Sequence, residues 1–273
     1  MSFDARERSL DQGAPVRLYE FSRGVLRWLY SSCDRDITLG SQVFRSVRGG
    51  IKDDGIRQSG ESRQDSFVIT APADIEVAQP FRGVRPTTEI AIKVFDLHFG
   101  DSEVICRYVG SVASVKWPGL DRCSISCQDI ESSMERPGLV DTFSRSCTTT
   151  LYSAFCKVER DAFRVDANIQ GLGGIHIESA IFATYADGWF SGGYIEWAIG
   201  GGEYERRHIE VHAGPLLQLL GGTTGLAVGQ AVRAYPGCDF LSATCHGKFG
   251  NLPNFRGQPH MDGRSPFDGE QVF

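Results

Sequence analysis

Long apolar runs and basic clusters are both missing from this 273-residue sequence. No stretch approaches the ~20 apolar residues that a transmembrane helix needs, so no membrane span is predicted. Lys and Arg total 28 against 34 Asp and Glu, and the basic residues form no long run. Sequence-independent binding to nucleic acid depends on clustered positive charge, so we do not expect direct nucleic-acid recognition.

The N-terminus lacks the apolar core of a secretory signal, because the segment from Met1 to Arg8 is mostly polar and charged. We therefore expect the protein to fold in a reducing cytoplasm. Eight cysteines do not pair into four disulfides in that compartment. Each cysteine is then interpreted as either a buried thiol or a ligand.

The common motifs of hydrolases and nucleotide-binding enzymes are also absent. The sequence has no G-x-S-x-G, H-E-x-x-H or Walker motif, and Gly171 to Gly174 lacks the spacing of a dinucleotide site. The acidic pairs lie in turn sequences, where Asp is expected for local hydrogen bonds rather than as a catalytic acid of raised pKa. These residues are Asp34, Asp36, Asp53 and Asp54. We predict that the protein is not an enzyme.

Alternating polar and apolar residues, with 32 glycines, predict a mainly β protein in two domains. Residues 1–135 are predicted to form an antiparallel domain of about eight strands, barrel-like or sandwich in form. After a short lead-in helix at 3–10, its strands are expected at 15–21, 25–30, 37–43, 66–72, 89–98, 103–110, 110–117 and 122–130. Residues 136–273 are predicted to form a smaller β-rich domain. Its strands are expected at 163–170, 180–185, 194–199, 204–212 and 227–235.

Three of the eight cysteines read as core residues of strands. Cys123 and Cys127 share one strand face with Ile125, and a strand separates the two cysteines by about 13 Å, too far for one metal ion. Cys106 alternates with charged neighbours and is also predicted to be buried. Cys33 stands alone in a turn and receives no role.

The remaining four cysteines form two local pairs in segments predicted to be loops. Eight residues separate Cys147 from Cys156, and six separate Cys238 from Cys245, in a segment whose Gly, Pro and Asn content argues against a helix. Two loops can direct four thiols to one point, as a four-coordinate metal or an iron–sulfur cluster requires. Buried thiol pairs and two disulfides remain alternatives, since neither pair has C-x2-C spacing. Wide loops suit a cluster better than a single zinc ion.

Two other groups are weighed as sites and interpreted as structural. His208, Glu210 and His212 alternate along a predicted strand, and a solvated strand face is favoured over a metal site. The aromatic residues near 190 suggest a carbohydrate-binding module, but the alternation favours the core of a strand. These are Trp189, Phe190, Tyr194 and Trp197.

A motif near the C-terminus identifies a family resemblance. Cys238 and Cys245 are followed by Lys248-Phe249, then Asn251, Asn254 and Phe255-Arg256-Gly257. This order resembles the C-terminal signature of a phage tail-tip, or baseplate hub, family that includes the gene transfer agent hub protein and siphophage relatives. Phage lambda tail tip protein is a more distant member. The Phe190-Ser-Gly-Gly segment and residues 7–36 fit the same family, so the resemblance spans nearly the whole chain.

The resemblance implies a virion structural protein at the distal end of the tail, folded in the host cytoplasm. Such a hub forms a homotrimer that links the distal tail protein ring to the central fibre or receptor-binding protein, with the tape measure protein as a further neighbour. The resemblance also implies a cluster of the four-iron, four-sulfur type, which four ligands hold and which staples the second domain. Zinc is the alternative. The ligands are Cys147, Cys156, Cys238 and Cys245.

This sequence departs from the family pattern at two places. Lys157 follows Cys156 where the family commonly has Gly, and Met261-Asp262-Gly263 replaces a Pro-containing turn. Neither change removes a ligand, but the first is expected to alter the ligand loop. The alternative functions are a metal-dependent cell-wall hydrolase and a carbohydrate-binding tail component.

Overall fold

The computed structural model describes residues 3–9, 11, 13–56, 67–101, 103–131, 138 and 143–261. Within them the chain is mainly β, as predicted, and forms two sheets. It divides into two compact units, the first comprising Met1–Arg136 with Ile199–Glu205, and the second Pro137–Ala198 with Arg206–Phe273. Across the described residues, no helix has the length and apolar content that crossing a membrane requires.

The first sheet has nine strands in the order β3-β4-β2-β1-β7-β8-β9-β6-β5. Its neighbours pair antiparallel except β2 and β4, which run parallel. A short helix, α1 (Phe3–Glu7), precedes it. The strands are β1 (Pro15–Arg23), β2 (Leu26–Ser31), β3 (Ile37–Leu39), β4 (Gln42–Ser46), β5 (Lys52–Asp53), β6 (Phe67–Pro72), β7 (Ala91–His98), β8 (Val104–Lys116) and β9 (Arg122–Asp129).

Three of the predicted strands have different bounds. The expected strand at 37–43 is a hairpin, because Gly40 adopts a φ of 60° that allows a tight turn between β3 and β4. The expected strands at 103–110 and 110–117 are one continuous strand, β8. The remaining predicted strands of this half appear close to their expected places.

The first unit has two hydrophobic clusters, and the larger one includes the predicted cysteines of β9. Cys123, Ile125 and Cys127 are all buried there, which confirms that prediction. Cys106 is exposed, so its predicted burial is wrong. Opposite Val94 and Phe95, β8 contains one extra residue between Cys106 and Tyr108, and this bulge changes the side-chain alternation.

The second sheet has seven strands in the order β10-β16-β13-β14-β15-β12-β11. The predicted strand at 180–185 is wrong, since this segment is a turn and a 3-10 helix, Phe182–Thr184, whose Phe182 is fully buried. Three short strands, β11, β12 and β15, were not predicted. The strands are β10 (Val165–Asn168), β11 (Gly171–Gly173), β12 (His176–Glu178), β13 (Tyr194–Gly200), β14 (Glu203–Ala213), β15 (Leu216–Leu219) and β16 (Ala231–Tyr235).

Candidate metal centre

All four predicted ligands lie in the second unit, in segments that flank its sheet. Cys147 and Cys156 lie in a run of turns before the 3-10 helix Arg160–Phe163. Cys238 follows β16 directly. Cys156 and Cys245 are buried, while Cys147 and Cys238 are half-buried.

Cys245 lies in a helix, which corrects the prediction of a loop. The helix α2 (Ser242–Gly247) is short, and Gly237 and Pro236 lie before it while Gly250 and Pro253 lie after it. Asp239 stabilises the start of the helix, because the Asp239 carboxylate accepts hydrogen bonds from the Leu241 N–H (2.9 Å) and from the Thr244 hydroxyl (2.8 Å). These Gly and Pro residues therefore lie on either side of the helix and do not interrupt it.

Backbone hydrogen bonds join the two cysteine segments, which are about ninety residues apart in sequence. The N–H of Cys147 donates to the carbonyl of Phe240 (2.8 Å). Asn251 makes a second link, since its side-chain amide donates to the carbonyl of Cys156 (2.6 Å) and its backbone N–H donates to the carbonyl of Cys245 (2.9 Å). Each cysteine of the first segment is thus tied to the second segment.

The thiols influence one another electrostatically. Burial raises the pKa of Cys245, and the thiols of Cys238, Cys147 and Cys156 raise it further. The pKa of Cys238 is also raised, first by burial, although the N–H of Phe240 opposes this and Cys147 and Cys156 add to it. Cys238 and Cys245 are therefore each within electrostatic range of Cys147 and Cys156. No three His, Cys, Asp or Glu side chains in the described part of the chain form a group that could hold a metal ion, so a closed four-cysteine staple is not displayed.

Hydrogen-bond donors are directed at two of the four sulfurs. The N–H of Phe240 lies 3.3 Å from the Cys238 sulfur, and the amide of Asn251 lies 3.7 Å from the Cys156 sulfur. Lys248 brings a positive charge beside Cys238; burial lowers the pKa of Lys248, and the neighbouring Cys238 and Asp239 oppose that change. Its ammonium group donates to the carbonyls of Trp189 (2.5 Å) and Gly237 (2.8 Å). Donors and positive charge of this kind favour the thiolate form that ligates metals.

Backbone strain is concentrated in the same segments. In the described part of the chain, three residues other than glycine have a positive φ: Tyr152 (63°), Lys157 (60°) and Phe240 (64°). Each lies within a cysteine segment, and Lys157 occupies the position where the resemblance leads us to expect glycine. Such strain persists only where surrounding contacts hold it, as it does at functional sites. The Tyr152 hydroxyl supplies one such contact by donating to the carbonyl of Pro236 (2.8 Å).

The glycines of the motif allow close approach of backbones around the centre. A Cβ on Gly193 would lie 2.0 Å from the carbonyl oxygen of Tyr235, and one on Gly237 would lie 2.1 Å from that of Ser191. A Cβ on Gly257 would lie 2.6 Å from the carbonyl oxygen of Arg145. The Phe-Ser-Gly-Gly and Phe-Arg-Gly segments are therefore constrained by packing around the two cysteine loops.

The histidine group on β14 differs from its prediction. His208 and Glu210 are exposed, but a register shift between Ile209 and Val211 turns His212 to the buried side. His212 is 2% exposed, and its Nε2 lies 3.2 Å from the carbonyl oxygen of Phe182 and 3.1 Å from that of Gly214. The three side chains do not share a face, so they do not form one site.

The aromatic residues near 190 are mainly core residues. Phe190 and Trp197 are buried, as predicted. Trp189 is half-buried and stacks on Tyr185 with ring centroids 6.0 Å apart. The sequence assigned no role to Lys248 and Asn251. Their place in the C-terminal motif was the one feature of the sequence that pointed to them.

Comparisons with known proteins point to phage proteins. Residues 188–265, which include Cys238 and Cys245, match the family described as "Phage conserved hypothetical protein BR0599". An uncharacterized protein of Xylella fastidiosa (strain 9a5c) is 28% identical over 187 residues, or 63% of this chain; the match spans 38% of that relative's length.

A solved structure has the same fold over the whole chain. It is a chain of the structure described as "Virion of native gene transfer agent (GTA) particle", with a TM-score of 0.76 and 18% identity over 100% of this chain and 99% of that one. Together with the family match, this likeness of fold agrees with the predicted resemblance to phage and gene transfer agent proteins.

Proposed function

We propose that this chain is a structural protein of a phage-like tail, acting as a tail-tip or baseplate hub. The observation that carries the proposal is the end-to-end likeness of its fold to a gene transfer agent virion protein. The phage family match over residues 188–265 and the C-terminal motif point the same way. In this role a homotrimer of the chain links the distal tail ring to the central fibre or receptor-binding protein, beside the tape measure protein.

The proposal includes an iron–sulfur cluster at the four cysteines. The thiols of Cys238, Cys147 and Cys156 each raise the pKa of Cys245, and N–H donors are directed at the sulfurs of Cys156 and Cys238. Hydrogen bonds to ligand sulfurs are a common feature of cluster sites and tune their potential. This donor set fits a four-iron, four-sulfur cluster with Cys147, Cys156, Cys238 and Cys245 as ligands; a single zinc ion is the other metal that four thiolates suit.

The cluster would act as a clamp rather than as a redox or catalytic centre. Its ligands come from segments about ninety residues apart, so the free energy of binding becomes free energy of folding. The existing links through Phe240 and Asn251 bring the segments together before any metal is added. A clamp of this kind would resist the force that DNA ejection exerts on a tail tip.

The role is tested on particles that carry this chain. Gold-labelled antibody against the native protein should mark one end of the tail in electron micrographs, and a deletion should yield particles that lack a complete tip. Label on the capsid, or normal particles from the deletion strain, would contradict the proposal. Release of peptidoglycan fragments by the purified chain would instead support a cell-wall hydrolase.

A further inference from the structure

The first unit contains a cleft of about 500 Å³ along strand β2 that the hub role does not use. This volume lies within the ~300–1,000 Å³ typical of ligand sites. Trp28, Tyr30 and Ile75 supply its buried and half-buried lining, and they belong to the margin of the hydrophobic core. Its exposed lining is charged, with three arginines, Arg27, Arg45 and Arg48, and two acidic residues, Asp74 and Glu76.

The cleft follows a strand edge that is only partly paired. The N–H of Ser32 donates to Arg17 of β1, so alternate residues of β2, namely Tyr30, Trp28 and Leu26, make the hydrogen bonds to β1. Arg27 and Leu29 therefore direct their N–H groups away from β1. The parallel partner β4 pairs with β2 only at Tyr30 and Ser31, so these two N–H groups have no strand partner among the described residues.

The chemistry of the cleft calls for a hydrogen-bond acceptor with negative charge. Arg27 pairs with Glu20, but Arg45 and Arg48 make no ion pair within the described part of the chain. Tyr30 is 8% exposed, and its hydroxyl proton has no acceptor there. Burial raises the pKa of Tyr30, and the hydroxyl stays protonated as a donor. A carboxylate placed in the cleft would pair with the exposed guanidinium groups of Arg45 and Arg48.

We propose that this cleft binds an extended acidic peptide segment of a partner protein, which adds as a strand to the free edge of β2. The backbone of the segment accepts hydrogen bonds from the N–H groups of Arg27 and Leu29, as in recognition by strand addition. A Glu or Asp side chain contacts Arg45 and Arg48. Asp74 and Glu76 also line the cleft, which therefore suits one or two carboxylates and disfavours a polyanion.

The test uses the full chain and a fluorescein-labelled hexapeptide of alternating Val and Glu, with binding followed by fluorescence anisotropy at low salt. Saturable binding is expected, and the double variant R45Q/R48Q should weaken it about tenfold or more because charge-assisted hydrogen bonds are lost. Arg85→Gln is the matched control, since Arg85 is exposed in the same unit and lies outside the cleft. All variants should keep the melting temperature of the parent.

Peptide variants separate strand addition from simple anion binding. Replacing Glu by Gln, or methylating alternate backbone nitrogens of the peptide, should each weaken binding at least tenfold. Equal binding of the methylated peptide, full competition by millimolar acetate or phosphate, or equally tight binding of a short single-stranded oligonucleotide would overturn the proposal. So would an equal loss of binding in the Arg85→Gln control.

Discussion

Replacing Asn251 by Ala should destabilise the second unit, because this side chain joins the two cysteine segments. Asn251 is 9% exposed. Its amide donates to the carbonyl of Cys156 (2.6 Å), and its carbonyl oxygen accepts from the side chain of Asn254 (2.7 Å). The backbone hydrogen bond to Cys245 survives the change to Ala. The variant therefore removes these two side-chain hydrogen bonds, together with the longer contact to the Cys156 sulfur (3.7 Å), and leaves the fold of α2 intact.

The size of the effect follows from those two hydrogen bonds. Each contributes a net ~0.5–1.5 kcal/mol, and a buried carbonyl left without its donor costs about 1–3 kcal/mol. The total loss of unfolding free energy is roughly 2–4 kcal/mol. At about 2–4 °C per kcal/mol for a chain of this size, the melting temperature should fall by roughly 4–16 °C.

Differential scanning calorimetry on metal-free protein measures this loss without any contribution from a bound metal. Asn254→Ala is the graded control, since it removes one of the two hydrogen bonds and should cost about 1 kcal/mol. Asn168→Ala, on the exposed side of β10, should leave the transition unchanged. An Asn251→Ala variant that melts within a degree of the parent, or an equal loss in Asn168→Ala, would refute the assigned link.

Three further outcomes follow from the same region and from the core. Lys157→Gly should raise the free energy of unfolding by about 1 kcal/mol in urea titrations, because it relieves a φ of 60°; a decrease would contradict that strain. Lys248→Met should lower it by roughly 2–4 kcal/mol, since two carbonyls lose their donor, and an unchanged urea midpoint would count against those contacts. Cys106 should be alkylated by iodoacetamide at pH 8 far faster than Cys127, whose pKa burial raises to about 12, so that its thiolate is scarce until the pH approaches that value. Mass spectrometry of digested protein reads both rates, and equal rates would be inconsistent with the assigned burial.

Alternation in the sequence predicted the long strands because each has one buried face. The predictions of side-chain burial failed where pairing with a neighbouring strand introduces a bulge. Bulges in β8 and β14 each add a residue that the alternation of the strand itself does not reveal, and they expose Cys106 and bury His212. The helix α2 was missed because Gly and Pro on either side dominate the composition of a six-residue element.

The sequence singled out the four candidate ligands, but not the side chains that surround them. Loop context separated both pairs, Cys147 with Cys156 and Cys238 with Cys245, from the strand cysteines, and the resemblance added the iron–sulfur cluster. The roles of Asn251 and Lys248 depend on contacts across 95 and 59 residues of sequence, which no local pattern reveals. The absence of glycine at position 157 suggested that this loop differs from the family pattern. In the structure, Lys157 adopts a positive φ there.

Iron and acid-labile sulfide per chain, measured on the full chain purified without oxygen, test the proposed centre most directly. The account predicts about four of each, lost in Cys238→Ser and retained in Cys106→Ser, since Cys106 is exposed in the other unit. One zinc ion per chain, no metal, or a mass that shows two disulfides among the four cysteines would contradict it.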